Sequence, residues 1–581
     1  MELISFSNLE RSGLKMPENQ LLKKLLFRYL KVERMNRLYR DKLKHCQGIH
    51  FVDGLLQTQN MHVEVPVEEL KNIPEKGPFI VMANHPFGFL DGLTMIQLMA
   101  HHFPNFKVLA NYFLGEFEPI KEFFIPLNPF TSKVGMNISG LKTAMRHLSD
   151  GYPLGIFPSG EVATMQKGFG KVEDKEWDVN VVRFMLKSNV PIVPFYFFGQ
   201  NSLNFHLLGK IHPYLRTLSI PAEFFKKEGQ TVRLRIGKPI MPGDLKAFEN
   251  NEKAGRFLRT CLSALERHEV KQRFSGFNLR RGQKPEPIID PVPTDEIIRE
   301  LEVLKANGGL LFAKSNYEIY LGKTTQIPVI LREIGRLREV TFRQVGEGTN
   351  KKIDLDSYDT YYHHLFAFDT DTGKIIGAYR LGRGDEIVPQ NGKKGFYVQS
   401  LFDLDEKMKL ILTRTLELGR SFVVREYQQK PMPLFLLWQG ILHFLKANPA
   451  IGYIMGPVSI SNDFSGFSKD LIIAFIRKNY FDHDLAKWVY PKKEFKVTTN
   501  AMDIDVVLEH NSNDLQKLDK FISGIEPNAL KIPVLLKQYI RQNAKIIGFN
   551  VDPDFNDCLD GLMVLNLNDL PKETLSFLQS R

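Results

Sequence analysis

Four prolines, Pro285, Pro287, Pro291 and Pro293, interrupt the middle of this chain. Each fixes φ and removes a backbone N–H, so neither a regular helix nor a central strand can run through them. A stretch of this composition reads as a linker, placed at 283–295. The length agrees, because 581 residues exceed what one hydrophobic core organises. The expected division is a domain over 1–282 and a second over 296–581.

The first domain shows strand-like apolar runs at 79–83, 154–157, 191–198 and 232–236. Helical patterns lie between them at 93–102, 139–149 and 179–186. That alternation predicts an α/β domain. Past the linker, a helix at 295–307 leads to a hairpin of 364–369 and 374–380. The turn Thr370-Asp371-Thr372-Gly373 joins its strands. A helix near 406–415, a strand near 417–424, a helix at 434–447 and a strand at 451–459 complete a second α/β domain.

Composition narrows the partners. Net charge is +11, which suits nucleic acid, an anionic membrane or an acidic carrier protein. No zinc-finger spacing or RNP-type motif accompanies the charge, so nucleic acid is the weakest of the three. Cys46, Cys261 and Cys558 lie far apart and suggest neither a metal site nor a disulfide framework, as in a reducing cytoplasm. No signal peptide and no spanning helix is expected; the longest apolar candidate, 79–100, is broken by Asn84, His85, Pro86 and Asp91.

Residues 20–43 read as a basic amphipathic helix. Leu22, Leu25, Leu26, Tyr29, Val32, Met35 and Tyr39 form one face, with Lys23, Lys24, Arg28, Lys31, Arg34, Arg37 and Arg40 around it. Two readings stand: a helix lying in a bilayer interface, or one packed on its own domain. The 44 phenylalanines against 3 tryptophans leave a similar choice between lipid-facing surface and Phe-rich core.

The strongest local signal is Asn84-His85-Pro86-Phe87-Gly88-Phe89-Leu90-Asp91, set between a predicted strand and a helix. An aspartate holding one imidazole nitrogen would leave the other to take a proton from a hydroxyl. The bland alternative is a polar turn with Asp91 as helix cap. Phe157-Pro158-Ser159-Gly160-Glu161 and the block Val190-Pro191-Ile192-Val193-Pro194 follow in order. Together the three blocks resemble the glycerolipid acyltransferases typified by lysophosphatidic acid acyltransferase, over roughly 60–240. The resemblance implies O-acyl transfer with His85 and Asp91 catalytic, and Asn84, Ser159, Gly160 and Glu161 at the substrate.

Two departures stand out. Glutamate follows Gly160 instead of preceding it. The span 115–130 has Lys121 as its sole cation, where the family carries an arginine for the acceptor's phosphate. Both suit a zwitterionic or cationic headgroup, with Glu161 facing an ammonium. The Phe-Pro-Ser-Gly-Glu-Val form is similar to the branch that acylates lyso-ornithine lipid.

In the second half, Glu417-Leu418-Gly419-Arg420 marks a strand with a bulge-prone glycine; by spacing alone it reads as a strand ion pair. Adjacent His363 and His364 should face opposite sides, one core and one surface. Arg338, Asp356, Asp359 and Gly377-Ala378-Tyr379-Arg380 precede the Glu-Leu-Gly-Arg segment, and Asp552-Pro553-Asp554-Phe555 comes near the end. This order resembles the GNAT-like N-acyltransferases that acylate ornithine and, more distantly, the homoserine-lactone synthases. The resemblance implies direct attack of an amine on a thioester beside a splayed strand. Glu417 is then the candidate base or amine anchor. Arg420 is a candidate contact for carrier or substrate, with Arg338, Asp359 and Arg380 behind it. Residues 424–433 contain no glycine for a CoA pyrophosphate loop, which favours acyl carrier protein over acyl-CoA as donor.

The fusion resembles the bifunctional ornithine lipid synthases. It implies a peripheral enzyme on the cytoplasmic face of a bacterial inner membrane, with acyl-thioester co-substrates and neither metal nor other cofactor. Its substrates would be an amino acid and a lyso-lipid. Two other classes remain: a phospholipid acyltransferase with a regulatory second half, and a non-catalytic basic membrane binder.

Overall fold

The computed structural model describes residues 28, 31–111, 117–127, 134–165, 172–211, 216, 219–266, 285–430, 432–526 and 529–579. It divides into two compact units. The first comprises Met1–His268, Asn500–Ser512 and Ser523–Ala529; the second comprises Glu269–Thr499, Asn513–Ile522 and Leu530–Arg581.

The first unit is built on a seven-stranded sheet. Its order is His62–Glu64, Thr231–Ile236, Ile192–Phe197, Ile80–Ala83, Leu154–Ile156, Lys107–Asn111 and Phe124–Leu127. Every neighbouring pair is parallel except Ile192–Phe197 with Thr231–Ile236. The strand Ile80–Ala83 lies between two parallel neighbours and is buried along its length, as its unbroken apolar run requires. In such a sheet the carboxyl ends of the strands form the working edge. Phe79, Phe106, Phe195, Phe197, Phe205 and Phe257 are fully buried, so the abundance of phenylalanine in this unit serves its core.

Of the expected helix over 20–43, the part bearing Leu22, Lys23, Lys24, Leu25, Leu26 and Tyr29 lies outside the described residues. Its continuation, Val32–Leu38, buries Val32 and Met35 in the core of the same unit. Arg34 pairs with Glu228 at 2.8 Å and lies over the ring of Phe225. Here the apolar face is turned inward. No helix among the described residues is long and apolar enough to cross a membrane.

The second unit carries an eight-stranded sheet: Leu310–Lys314, Tyr317–Lys323, His363–Asp369, Lys374–Arg383, Thr415–Val423, Tyr453–Ile460, Cys558–Asn566 and Lys545–Asp552, in that spatial order. All pairs are antiparallel except Thr415–Val423 with Tyr453–Ile460. Those two pair only over Thr415–Glu417 against Tyr453–Met455 and then part. The helices Pro328–Gln344 and Met432–Ala447 pack on this sheet. Every residue of His363–Asp369 is buried, which corrects the expectation of one exposed histidine. His363 meets Glu386 at 3.0 Å, and His364 lies beside Asp359 and Arg338, its pKa pushed by burial down to about 3.

The proline-rich stretch does not hang free of its neighbours. Glu286 and Ile289 donate their N–H groups to the carbonyls of Asn350 and Lys352, and Val292 donates to the carboxylate of Glu333. Proline forbids helix here, but the non-proline residues between still hold a backbone path along the second unit.

The helix Ala501–Asn511, late in the sequence, belongs to the first unit. It lies on Asn251–Glu266, where Lys253 pairs with Glu509 at 3.0 Å and His510 packs against Phe257 with centroids 4.7 Å apart. Val507 is fully buried. A fragment of residues 1–282 lacks this helix and leaves its docking face bare. It should melt at lower temperature than the first unit does in the full chain. Equal melting of fragment and full-chain unit, followed by calorimetry, would show the helix to be dispensable.

Candidate active site

In the first unit, His85 stands two residues past the carboxyl end of Ile80–Ala83, and the helix Phe89–Ala100 begins four residues later. The turn between them passes through Gly88 at φ +88, a conformation side-chain-bearing residues rarely adopt. A Cβ there would also press on Val162 at 3.0 Å. The tight turn brings Asp91, in the first turn of the helix, back beneath the imidazole. His85 Nδ1 lies 3.0 Å from Asp91 Oδ2, which also accepts the N–H groups of Phe87 and Gly88 at 2.9 Å each.

Asp91 is completely buried. Burial raises its pKa, against the opposing pull of His85 and the two backbone donors. A carboxylate on Nδ1 fixes the tautomer with the proton on that nitrogen and leaves Nε2 as the acceptor. The ring of His85 stacks on Phe157, from the end of the adjacent parallel strand, with centroids 4.1 Å apart. His85 keeps 17% of its side chain exposed, so the ring remains open on one side.

The backbone of His85 is gripped from both directions. Its carbonyl accepts the N–H of Ala163 at 2.8 Å, and its own N–H donates to Asp174 Oδ1 at 3.2 Å. Burial pushes the Asp174 carboxyl up to about 6. Sequence reasoning missed Asp174, which is remote in the chain and has no motif around it.

The other residues expected at the substrate are engaged with the protein. Asn84 makes a two-way lock with the backbone of Phe197, donating at 2.9 Å and accepting at 2.7 Å. Ser159 Oγ donates to the carbonyl of Glu161 at 2.9 Å, and Gly160 takes φ +64 in the same turn. Glu161 pairs with Lys175 at 2.7 Å and Arg216 at 2.6 Å. Burial opposes its ionisation, but the two cations prevail and hold its pKa below the ordinary value. Lys121 is taken by Glu118 at the surface.

In the second unit, the expected residues do converge, as an alternating ladder of charge. Arg338 donates to Asp359 at 2.8 Å, and Arg380 donates to Asp356 at 2.6 Å and lies 3.3 Å from Asp359. Arg420 faces Asp354 at 3.2 Å and Asp356 at 3.6 Å. Burial alone would raise the Asp359 pKa; the two guanidinium groups outweigh it and hold the carboxyl well below the usual range. Arg338 and Arg380 are fully buried, which removes them as surface contacts for a carrier. Their place is beneath the site, where they fix the segment bearing Asp354, Asp356 and Asp359.

Glu417 is also fully buried. Its carboxylate accepts the hydroxyl of Tyr362 and the N–H groups of Tyr397 and Val398, the latter two at 3.0 and 2.8 Å. Through these bonds it holds the 397–398 turn in place. Arg420 is different. At φ +48 it occupies the left-handed region, beside the register shift between the strands Lys374–Arg383 and Thr415–Val423. Its guanidinium lies between Tyr397 and Phe555, at 5.0 and 4.7 Å from their centroids. The neighbouring strand Tyr453–Ile460 leaves it at this point, opening the wedge that the resemblance implied.

Two carboxylates within electrostatic reach of Arg420, Asp552 and Asp560, are joined by Glu347; Asp552 was marked in sequence only by the resemblance, and Glu347 and Asp560 had no signature there. Burial, aided by their mutual repulsion, pushes Glu347 and Asp560 each up to about 7 and raises Asp552 as well. Asp560 is almost wholly buried and its bonds are to neutral groups, Ser459 and Cys558. Among the described residues, none of the three has a cation in salt-bridge contact. No cluster of metal-ligating side chains occurs among the described residues.

Comparison with known proteins agrees with both halves. An acyltransferase family matches residues 18–266, and the acetyltransferase (GNAT) domain matches residues 337–439. A glycine N(alpha)-acyltransferase of Phocaeicola vulgatus is 29% identical over 301 residues, 49% of this chain and 90% of its own. A lyso-glycine lipid O-acyltransferase of the same organism is 27% identical over 217 residues, 36% of this chain and 74% of its own. An L-ornithine N(alpha)-acyltransferase of Rhizobium meliloti is 36% identical over 110 residues, 18% of this chain and 36% of its own. The chain is an acyltransferase that joins an acyltransferase domain to a GNAT domain.

Two outcomes follow from the electrostatics. The folded-state pKa of Asp174 lies above its unfolded value, so the native state retains a proton that the unfolded chain releases. The associated stability is present below about pH 4 and fades as pH rises through 6, by no more than about 3 kcal/mol. Asp174→Asn keeps the acceptor for the His85 N–H but cannot titrate. Its melting temperature relative to the unsubstituted chain should therefore climb between pH 4 and pH 7 and level off above; a difference independent of pH would contradict the assignment. In the second unit, Asp359→Asn leaves the buried guanidinium of Arg338 without its carboxylate and takes one of two from Arg380, which keeps Asp356. It should destabilise that unit by about 3–5 kcal/mol, seen as a lowered melting transition; a transition left in place would show that water or a rearranged Asp356 carries the charge.

Proposed function

We propose that this chain makes an acylated amino-acid lipid in two successive transfers. The second unit N-acylates the amino acid with a 3-hydroxyacyl chain, and the first unit O-acylates the resulting 3-hydroxyl. One observation carries this reading. Relatives named for an N-acyl transfer to glycine and for O-acylation of lyso-glycine lipid both match this one chain, which carries an acyltransferase domain in its first half and a GNAT domain in its second. The product of the first reaction is then the acceptor for the second.

The first transfer needs an unprotonated amine at a thioester carbonyl. The parting of Thr415–Val423 from Tyr453–Ile460 supports a donor lying in the wedge, with strand amides toward its carbonyl oxygen. The amine nitrogen bonds to the carbonyl carbon, the C–S bond breaks, and the thiolate leaves with a proton. Carboxylates titrating near 7, as Glu347 and Asp560 do, are suited to attract the ammonium and accept its proton. For the second transfer, His85 Nε2 takes the proton of the 3-hydroxyl as its oxygen attacks another thioester. The same proton passes to the departing sulfur, and Asp91 stabilises the imidazolium in between.

The uncompensated carboxylates also favour an acceptor with a second amine, such as ornithine, over glycine, since a buried charge is stable when paired. The donor in this reading is an acyl carrier protein, with acyl-CoA as the other thioester to test. The enzyme works as a peripheral protein on the cytoplasmic face of a bacterial inner membrane, where its lipid product resides.

Lipid mass spectrometry of a host expressing the chain, with ornithine or glycine supplied, tests the scheme. The diacylated ornithine lipid should appear. His85→Ala should lower ester formation about 10²–10⁴-fold and let the amide-linked lyso-lipid accumulate. Undiminished diacylated lipid from His85→Ala, or a new glycerophospholipid in place of an aminolipid, would overturn the proposal.

A further inference from the structure

Arg216 was not part of any sequence motif, yet it pairs with Glu161, just past the turn whose Phe157 stacks on His85. Its side chain is only 9% exposed. The stem packs against Gly209, where a Cβ would come within 3.1 Å of Arg216 Cδ. One terminal nitrogen, Nη2, donates to Glu161 at 2.6 Å. Among the described residues, Nε and Nη1 have no acceptor, and neither is sealed in protein. A mostly buried guanidinium with donors left over is a receptor for an anion of matching shape.

The placement ties it to the O-acyl transfer site. Glu161 follows the Phe157-Pro158-Ser159-Gly160 turn, whose Phe157 stacks on the His85 ring. Two residues further on, Ala163 donates to the His85 carbonyl. Four residues past Arg216, Ile220 would lie 3.6 Å from a Cβ on Gly88, in the turn between His85 and Asp91. Arg216 and Glu161 thus close on the same turn from two directions.

The charge balance decides what binds. Glu161 contributes one negative charge, while Lys175 and Arg216 contribute two positive charges. The nearby Glu223 is paired with Lys226, and burial lowers the pKa of His206 so that it stays neutral. Within the Glu161–Lys175–Arg216 cluster one positive charge is therefore left over. This reverses the expectation that Glu161 awaits an ammonium: its carboxylate is already neutralised, and the unanswered group is the guanidinium. We propose that Arg216 binds the free α-carboxylate of the N-acylated amino acid while its 3-hydroxyl is presented to His85. That carboxylate is common to N-acyl glycine and N-acyl ornithine, so recognition here is indifferent to the side chain of the amino acid. It is a planar partner for either fork of the guanidinium, formed by the second N–H of Nη2 with Nε or with Nη1. The inference rests on the O-acylation reading above.

The test uses the full chain and two acceptors, N-(3-hydroxypalmitoyl)glycine and its methyl ester. Palmitoyl–acyl carrier protein and palmitoyl-CoA serve as parallel donors, with ester product measured by mass. The free acid should have the lower KM, by at least about tenfold. Arg216→Gln should raise the KM for the acid roughly 10- to 100-fold, as expected for loss of hydrogen bonds to a charged group. It should leave the KM for the methyl ester within about twofold. Arg216→Lys, which retains the charge but loses the fork, should fall between; it also serves if a melting curve shows Arg216→Gln to be unfolded. Equal losses on the two acceptors, or an unsubstituted enzyme that does not distinguish them, would overturn the assignment. If the unsubstituted chain esterifies neither acceptor while it still forms the amide, the O-acylation reading itself fails and takes this inference with it.

Discussion

A carboxylate that water does not reach organises the first unit. Asp91 is completely buried, and an ionised group in that position is tolerable only when donors answer it. The N–H groups of Phe87 and Gly88 and the imidazole of His85 do so, all three at Oδ2. Gly88 caps the helix Phe89–Ala100 and Phe87 precedes the cap, so Asp91 in the first turn accepts both N–H groups from the chain entering the helix. One interaction thus joins a central strand, a glycine turn, a helix start and the reactive histidine. The site is rigid because moving any of these parts would strand a buried charge.

The second unit solves a similar problem by alternation. Arg338, Asp359, Arg380, Asp356, Arg420 and Asp354 form a series of alternating charge, each answered by the next, with Asp356 its most open member. Such a ladder contributes little net stability compared with apolar packing of equal volume, but it fixes geometry strictly. Arg420 stands at its end in a left-handed backbone conformation, against a face where Glu347, Asp552 and Asp560 have no cation of their own. In the two-transfer scheme proposed above, the carboxylates around Asp560 meet the ammonium of the free amino acid, and Arg216 meets the α-carboxylate that remains after acylation on nitrogen.

The His85–Asp91 pair was legible in the sequence because its members are six residues apart and joined by a turn whose geometry local chemistry dictates. The order of strands and helices was legible for the same reason: apolar periodicity is a local property, and 79–83, 191–198 and 374–380 all fall on observed strands. The segment from Asp356 to Glu417 announced itself only through resemblance, since spacing alone could not distinguish a site from an ordinary strand ion pair.

What the sequence by itself determined is therefore whatever depends on near neighbours: the elements, the proline break and the histidine–aspartate turn. Tertiary structure decided the rest, because long-range packing sets burial and burial sets charge. It made Asn84 a lock between strands and turned Glu417 inward onto the 397–398 turn. It gave Glu161 to Arg216 across 55 residues, and drew Ala501–Asn511 back to the first unit. None of these partners is implied by spacing. Each arises where the fold brings distant groups into one low-dielectric place, and only there does the cost of an unpaired charge choose between them.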